Sequence, residues 1–226
     1  MRPKITLAVA CLLSLVLGSA ALAYLAVLVV RECPHCKARF SQEIALSGNT
    51  LGAAFYTDGS RNAPMLPDHP RFGKCPVCGG LFWIEETEYV DSSRDTADGK
   101  PEVKAPSEKE MLGVLASQTL PRDKEIYLRM RAWWAANDPW RGHPNPKPVF
   151  TPEQVKNLRA LSSLLDESDQ KQRILKAEIA RELGNFKECL RLLSHPFKED
   201  QEWTAGFIRS LAQEGVKGVR PFPRSK

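Results

Sequence analysis

The sequence predicts an α+β protein in three parts: an N-terminal transmembrane helix, a small β module with a long insert, and an all-α C-terminal domain. Three observations predict this order. The chain begins with a long uncharged run, continues with a Cys-Pro-x-Cys motif that occurs twice, and ends in segments with helical periodicity. A length of 226 residues, 42% of them hydrophobic, is enough for one or two modest cores.

Residues 1–31 form the predicted transmembrane anchor. Ile5 to Val30 are 26 consecutive residues without a charge. At about 1.5 Å per residue, a helix of this length crosses a hydrocarbon core of roughly 30 Å. A cleaved signal peptide is the alternative, because Ala21-Leu22-Ala23 fits a small-x-small cleavage site. We favour the uncleaved anchor, since cleavage there would leave the apolar stub YLAVLVV on the secreted protein.

Charge around the uncharged run indicates membrane orientation only weakly. Arg2 and Lys4 lie on one side, and Arg31, Lys37 and Arg39 lie on the other, so the positive-inside rule discriminates little. A short basic N-terminus before a large C-terminal domain usually stays inside. We therefore expect a single-pass membrane protein whose soluble part faces the exported side, periplasmic or extracellular.

The second predicted part, residues 32–90, contains the repeated motif. ECPHCKARF and KCPVCGGLF both fit Cys-Pro-x-Cys-x-x-x-Phe. Two thiolates separated by two residues reach one ion from a tight turn, and two such turns complete a tetrahedral four-sulfur zinc site. Gly79 allows the positive φ that these turns often need, whereas Lys37 occupies that place in the first motif. The sequence therefore predicts a zinc ribbon, and its expected ligands are Cys33, Cys36, Cys75 and Cys78.

The spacing between the two cysteine pairs is long for a zinc site. The pairs are 38 residues apart, against about 15–20 in common zinc motifs. The insert is rich in turn-forming residues, and the entropy of loop closure grows only logarithmically with length. Phe40 and Phe82 are expected on short strands beside the metal. His35 and His69 are interpreted as surface residues, because four cysteines already complete the site.

Two other interpretations of the cysteines stay open. Cys33-Pro34-His35-Cys36 is similar to the active site of strongly oxidising thioredoxin-fold enzymes, so a membrane-tethered thiol–disulfide oxidoreductase is the alternative function. That fold needs a helix to carry the pair, whereas the following ARFSQEIAL alternates like a strand. Two structural disulfides are the other possibility, in an exported location. A matching second pair favours zinc, because a redox enzyme does not need it.

The third predicted part is helical. Residues 91–106 have no apolar periodicity and are interpreted as a flexible acidic linker. Residues 107–215 are expected to form a helical repeat-like domain, and residues 216–226 a basic tail. Two Ser/Thr-x-x-Glu/Gln sequences have the spacing of capping boxes that begin helices, and they are Ser107 with Glu110 and Thr151 with Gln154.

One helical segment resembles a known repeat. Residues 176–196, KAEIARELGNFKECLRLLSHP, are similar to a tetratricopeptide helix pair, with small residues at Ala177 and Ala180 and a turn at Leu183-Gly184. Cys189 falls where that pattern has a small residue, so we interpret it as a buried structural thiol. Only one repeat is recognisable, and a continuous array needs about three.

Residues 33–82 resemble the ribbon of uncharacterised bacterial proteins in which paired CPxC knuckles precede tetratricopeptide-like helices. The resemblance rests on the four cysteines and their prolines, and it implies no defined activity. The chain has no phosphate-binding Gly-rich loop, HExxH motif or nucleophile elbow, so no catalysis and no small-molecule substrate are predicted. The expected function is that of a membrane-anchored zinc-ribbon protein that binds protein partners through its helical domain.

The charge distribution disfavours a nucleic-acid partner. The formal net charge is only +5. Basic residues are spread along the helical segments, and the ribbon lacks the basic stripe with exposed aromatics that nucleic-acid binding uses.

Overall fold

The computed structural model describes residues 24–92, 97–143 and 148–223. These residues form two compact units. The first contains the described residues up to Ala53 together with Ala63–Lys104, and the second contains Ala54–Asn62 together with the described residues from Ala105 onward. Because this part of the chain contains seven strands and six α-helices, the protein is α+β.

The predicted transmembrane helix is wrong. Leu25–Glu32, which ends the predicted anchor, is a β-strand in which Val29 and Val30 are buried. Within residues 24–92, 97–143 and 148–223, no helix is both long enough and apolar enough to span a bilayer. The single-pass membrane localisation inferred from that helix is corrected on the same finding. Residues 1–23, with the alternative cleavage site Ala21-Leu22-Ala23, lie outside the described residues.

The strands are short and antiparallel. In chain order they are β1 (Leu25–Glu32), β2 (Arg39–Ser47), β3 (Ala54–Phe55), β4 (Arg61–Asn62), β5 (Phe72–Lys74), β6 (Leu81–Trp83) and β7 (Glu88–Asp91). In the first unit, β1 lies between β2 and β7 in a three-stranded sheet, and β5 pairs with β6 as a hairpin. A single 3-10 turn, Ile84–Glu86, joins β6 to β7.

The core of the first unit surrounds two of the cysteines. Its buried members are Cys33, Phe40, Cys75, Phe82 and Ile84, and Val103 packs against them. The rings of Phe40 and Phe82 stack with centroids 5.3 Å apart, and each comes from the strand that follows a cysteine motif. Both phenylalanines lie on strands, as expected, and they pack beside two of the cysteines.

The end of the first unit lies in the region where the sequence predicts a linker. The Ser41 N–H donates to the carbonyl of Pro101 at 3.0 Å, and the Val103 N–H donates to the carbonyl of Ser41 at 2.9 Å. The backbone N–H groups of Lys104 and Lys74 each donate to the carbonyl of the other residue. Residues 101–104 therefore bond to both sheets of this unit.

The second unit contains the helices. They are α1 (Glu108–Ser117), α2 (Arg122–Asn137), α3 (Pro152–Leu164), α4 (Gln170–Glu182), α5 (Phe186–Leu192) and α6 (Glu199–Gln213), with a 3-10 turn at Asp138–Trp140. Both predicted capping boxes are confirmed, since in each the side chain and the backbone N–H of the two residues bond reciprocally. They begin α1 at Ser107 and α3 at Thr151.

Helix α4 connects two apolar clusters of the second unit. One of its sides packs with α5 and α6 around the buried Cys189, and Ile179 packs with α2 and α3 around Trp133. A turn at Gly184, whose φ is 81°, joins α4 to α5, so the helix pair predicted at residues 176–196 is present. The predicted burial of Cys189 is confirmed by its exposure of 0%.

A small hairpin from the insert completes the second unit. Strands β3 and β4 pair around a turn at Gly59, whose φ is 78°. The C-terminal tail lies beside this hairpin: the Thr57 N–H donates to the carbonyl of Arg220 at 2.9 Å, and the Phe222 N–H donates to that of Phe55 at 2.8 Å. The insert between the cysteine pairs therefore contributes nine residues, Ala54–Asn62, to the helical unit.

Candidate metal centre

Each cysteine motif forms the turn of a β-hairpin. The first turn joins β1 to β2, and in it the Cys33 N–H donates to the carbonyl of Ala38 at 3.0 Å while the Lys37 N–H donates to the carbonyl of Cys33 at 3.0 Å. The second turn, between β5 and β6, repeats both bonds, from Cys75 to Gly80 at 2.8 Å and from Gly79 to Cys75 at 3.0 Å. The repeat seen in the sequence is thus a repeat of backbone geometry.

Both turns use a left-handed residue at the same place. Gly79 has a φ of 74°, and Lys37 has a φ of 61°. Lys37 is the one non-glycine residue with a positive φ in the part of the chain that the structure describes. A side chain in this conformation is strained by roughly 1–2 kcal/mol. The first turn therefore has a less favourable residue at this position than the second.

The two turns bring the four cysteines together. The Sγ atoms of Cys33, Cys36, Cys75 and Cys78 all lie within 4.8 Å of one another. The Sγ atoms of Cys36 and Cys75 are 3.7 Å apart, and those of Cys33 and Cys78 are 3.9 Å apart. Four sulfurs about 2.3 Å from one tetrahedral ion would be separated by roughly 3.8 Å. The cluster is therefore compatible with a metal site in both donor type and size.

Burial divides the four thiols into an inner and an outer pair. Cys33 and Cys75 are buried, at 0% and 1% exposure, whereas Cys36 and Cys78 are exposed. The inner pair are the first cysteines of the two motifs, and they pack on Phe40 and Phe82. The cluster thus lies at the edge of the core, with its second cysteines toward solvent.

Backbone N–H groups donate to three of the four sulfurs. The Sγ atom of Cys75 accepts hydrogen bonds from the N–H groups of Val77 and Cys78, each at 3.4 Å. The corresponding bond in the first turn runs from the His35 N–H to Cys33 at 3.4 Å, and a bond from the Gly80 N–H reaches Cys78 at 3.4 Å. Hydrogen bonds to sulfur stabilise the thiolate form, which is the form that binds metal.

The pKa values of the thiols reflect this arrangement. Burial raises the pKa of Cys75, but the N–H groups of Cys78 and Val77 outweigh it and lower the pKa to about 7. Burial raises the pKa of Cys33. The Gly80 N–H lowers the pKa of Cys78, but the neighbouring thiols have the larger, opposite effect. The pKa of Cys78 is therefore raised to about 12. Four thiols this close cannot all ionise by themselves, whereas a bound cation stabilises every thiolate.

The two histidines near the motifs bond to backbone groups. The Nε2 atom of His35 is 2.8 Å from the carbonyl oxygen of Leu81, and Nε2 of His69 accepts a hydrogen bond from the Ala45 N–H at 2.8 Å. His35 is exposed, as the sequence interpretation expects, and His69 is partly buried. Neither belongs to the group of side chains able to share one ion.

The surroundings of Cys33 and Cys36 bear on the redox alternative. The pair lies in a β-hairpin turn, with β2 directly after it. A thioredoxin-type motif instead places its first cysteine at a helix N-terminus, where the dipole stabilises the thiolate. The other alternative is a pair of structural disulfides, and all five cysteines within the described part of the chain are free thiols.

Sequence reasoning missed a second group of polar side chains, inside the helical unit. Asp58 is fully buried and pairs with Arg141 through two hydrogen bonds, of 2.6 Å and 3.2 Å. The side-chain amide of Asn137 donates to the same carboxylate at 3.0 Å, and Ser60 donates to it through its hydroxyl at 2.8 Å. The only signal in the sequence is the turn-forming TDGS, which predicts a turn but does not predict burial.

A neighbouring group continues this network along α4. Glu182 accepts a hydrogen bond from the indole N–H of Trp133 at 2.8 Å, and burial raises its pKa well above the ordinary value, with Glu178 and Asp58 adding to the effect. Arg181 pairs with Glu178 and donates to the carbonyl of Gly218 at 2.8 Å. The bond to Gly218 attaches the tail to the helices, and the Asp58–Arg141 pair attaches the insert hairpin, so both groups of polar side chains are structural.

Comparison with known proteins adds no assignment: no protein-family model matches the chain, and no curated protein or solved structure matches it either. The functional interpretation of this chain therefore rests on its cysteine cluster.

Proposed function

We propose that Cys33, Cys36, Cys75 and Cys78 bind one structural zinc ion, and that the chain is a zinc-ribbon protein acting as a protein–protein interaction or scaffold module without catalysis. The observation that carries the proposal is the convergence of four Sγ atoms within 4.8 Å of one another. Thiolate donors in a tetrahedral set favour zinc. Four thiolates leave no coordination position for a substrate, so the ion would stabilise the fold.

The helical unit is the proposed partner-binding part, and we regard its helices as tetratricopeptide-like. Its last helix supports this role, because Trp203 on α6 is 56% exposed. The ring of Trp203 stacks with Phe207 at a centroid distance of 6.3 Å, and Phe222 of the tail lies 5.2 Å from it. Exposed aromatic side chains that neighbouring rings hold in place are typical of protein interfaces.

Metal analysis of the full chain tests the zinc site. Purified under reducing conditions, the protein should contain one zinc per chain. Replacement of zinc by Co²⁺ should give the visible absorption of tetrahedral thiolate coordination, and a chelator should expose four alkylatable thiols. A metal-free chain whose four thiols react at once would contradict the proposal. Rapid turnover of a test disulfide would instead favour an oxidoreductase that uses Cys33 and Cys36.

Site-specific photo-crosslinking tests the partner-binding role. A photoreactive residue at position 203 should give a defined adduct with one protein in living cells. The matched control is position 187, where Lys187 is exposed on α5 and polar. Equal labelling from both positions, or labelling from neither, would contradict a role for this face of α6.

A further inference from the structure

We propose that Cys36 is a site of oxidation by peroxide, and that its oxidation forms a Cys36–Cys75 disulfide that opens the cysteine cluster and releases its ion. This inference rests on the proposed zinc site and adds a chemical reactivity to it. Three properties of the cluster carry it: the exposure of the sulfurs, their hydrogen bonds and the distances between them.

Exposure restricts the first attack to two of the four sulfurs. Cys33 and Cys75 have almost no exposed surface, so a peroxide molecule in solution meets Cys36 or Cys78 first. A fifth thiol, Cys189, lies fully buried among helices α4, α5 and α6. Burial also raises the pKa of Cys189 to about 12, so it should not compete for the oxidant.

Hydrogen bonding distinguishes the two exposed sulfurs. Cys78 accepts a bond from the Gly80 N–H at 3.4 Å. The equivalent donor in the first turn is the Ala38 N–H, and among the residues that the structure describes no N–H group donates to the Sγ atom of Cys36. In the zinc-bound cluster all four sulfurs are thiolates. A hydrogen bond that stabilises the negative charge on one of them therefore lowers its nucleophilicity towards an oxidant. Cys36 is therefore both exposed and the more nucleophilic of the outer pair.

The first chemical step occurs at Cys36. Its thiolate attacks one oxygen of hydrogen peroxide, which forms an S–O bond and breaks the O–O bond. The sulfur is oxidised by two electrons to a sulfenic acid, and the departing oxygen leaves as hydroxide and takes a proton from water or buffer. Peroxide is thus the oxidant, and it becomes one molecule of water.

The second step uses a sulfur of the other hairpin. The Sγ atom of Cys75 is 3.7 Å from that of Cys36, the shorter of the two distances measured between the hairpins. Its thiolate attacks the Cys36 sulfur, forms the disulfide and expels the sulfenic oxygen as hydroxide, which becomes the second water. The disulfide removes two of the four ligands, and two remaining thiolates hold a divalent ion only weakly.

The experiment uses the full chain loaded with zinc and treated with a small molar excess of hydrogen peroxide. Zinc content is measured first, and zinc release is then followed with a colorimetric chelator. In parallel, a sulfenic-acid reagent and peptide mapping identify the first oxidised cysteine and the disulfide that follows. We expect loss of the single zinc ion, a first adduct at Cys36, a Cys36–Cys75 disulfide, and an unmodified Cys189.

Two variants form a matched pair, because Cys36→Ser and Cys78→Ser each remove one exposed ligand. Adduct formation should be lost in Cys36→Ser and kept in Cys78→Ser. If neither variant holds zinc, the mapping of the wild-type chain decides. Zinc that stays bound, a first adduct at Cys78, or a Cys33–Cys36 disulfide would overturn the inference without contradicting the proposed metal site. A chain that holds no zinc before peroxide is added would overturn the proposed function itself.

Discussion

Arg141 holds the carboxylate of Asp58 through two hydrogen bonds, although 83 residues separate them in the chain. The Asp58 side chain is fully buried, and only 13% of the Arg141 side chain is exposed. Because the pair joins the insert hairpin to the end of α2, the stability of the helical unit depends on a residue that lies between the two cysteine motifs.

We expect Asp58→Ala to lower the free energy of unfolding of the helical unit by about 3–5 kcal/mol, because it leaves the Arg141 guanidinium without its buried anion. Asp138→Ala is the control, since Asp138 also pairs with Arg141 but is 67% exposed, and its loss should be below about 1 kcal/mol. Denaturant unfolding followed by helical circular dichroism measures both. A loss for Asp58→Ala as small as that of the control would contradict the prediction.

Lys37→Gly should stabilise the first cysteine turn by about 1 kcal/mol, because glycine adopts a positive φ without strain. Within the part of the chain that the structure describes, the one ion pair lost is the contact of Lys37 with Glu32 at 3.6 Å, which lies at the surface and contributes little. Lys37→Ala is the matched control, since alanine loses the same ion pair and keeps the strain. Zinc affinity, measured by competition with a chelator, should rise for Lys37→Gly alone, and an equal rise for Lys37→Ala would count against backbone strain as the cause.

The stability of the helical unit should fall as pH rises because of Glu182, whose pKa is raised by burial and by the nearby carboxylates of Glu178 and Asp58. Above the ordinary carboxyl pKa of about 4.3, the folded chain keeps this proton and the unfolded chain loses it. The facing Arg181 opposes the shift, and the indole of Trp133 donates to the carboxyl group.

Glu182→Gln tests this pH dependence, because the glutamine side chain has the same shape and does not bind or release a proton. Wild type should lose stability relative to the variant as pH rises above about 4.3, by up to about 1.4 kcal/mol per pH unit. Denaturant unfolding at several pH values gives this difference directly. A difference that does not change with pH would show that the buried carboxyl group keeps an ordinary pKa.

Cys75→Ser should abolish zinc binding and unfold the cysteine hairpins, because three thiolates and a hydroxyl are a poor ligand set and the site links both turns. Cys189→Ala is the control. That thiol is also buried, but it packs in the helical unit, so the variant should keep its zinc and lose about 1 kcal/mol to the small cavity. Zinc content and thermal unfolding separate the two effects, and retention of zinc by Cys75→Ser would contradict its role as a ligand.

The cysteine cluster could be predicted because its determinants are local and repeated. Two residues between paired cysteines, a proline after the first and a phenylalanine four positions after the second define each hairpin turn. The capping boxes were predictable for the same reason, since their donors and acceptors are three residues apart. Such short-range patterns contain all the residues that form a turn or a helix start, so the sequence alone predicts them.

The prediction of a membrane helix before Cys33 fails because hydrophobicity alone does not distinguish an apolar strand from an apolar helix. The sequence held one signal against a helix. Val27, Val29 and Val30 are β-branched, and such residues favour strands. In the structure the second motif also follows a strand, Phe72–Lys74, so the two motifs share the preceding strand as well as the turn.

Burial of Asp58 could not be predicted, because its partners are distant in sequence. Arg141 lies 83 residues away and Asn137 lies 79 residues away. A short polar turn between two cysteine pairs has the composition of an exposed loop. Only tertiary structure shows that this loop supplies a buried anion to helices that come later in the chain.

The position of Ala54–Asn62 also determines where the protein can be divided. A fragment that begins after Lys104 contains every described helix but lacks this hairpin, so Arg141 and Asn137 lose the carboxylate that they bind. A fragment that ends at Lys104 keeps the four cysteines but carries the hairpin without its helices. No single cleavage point yields two complete folding units, and each isolated half should be less stable than the same residues within the intact chain.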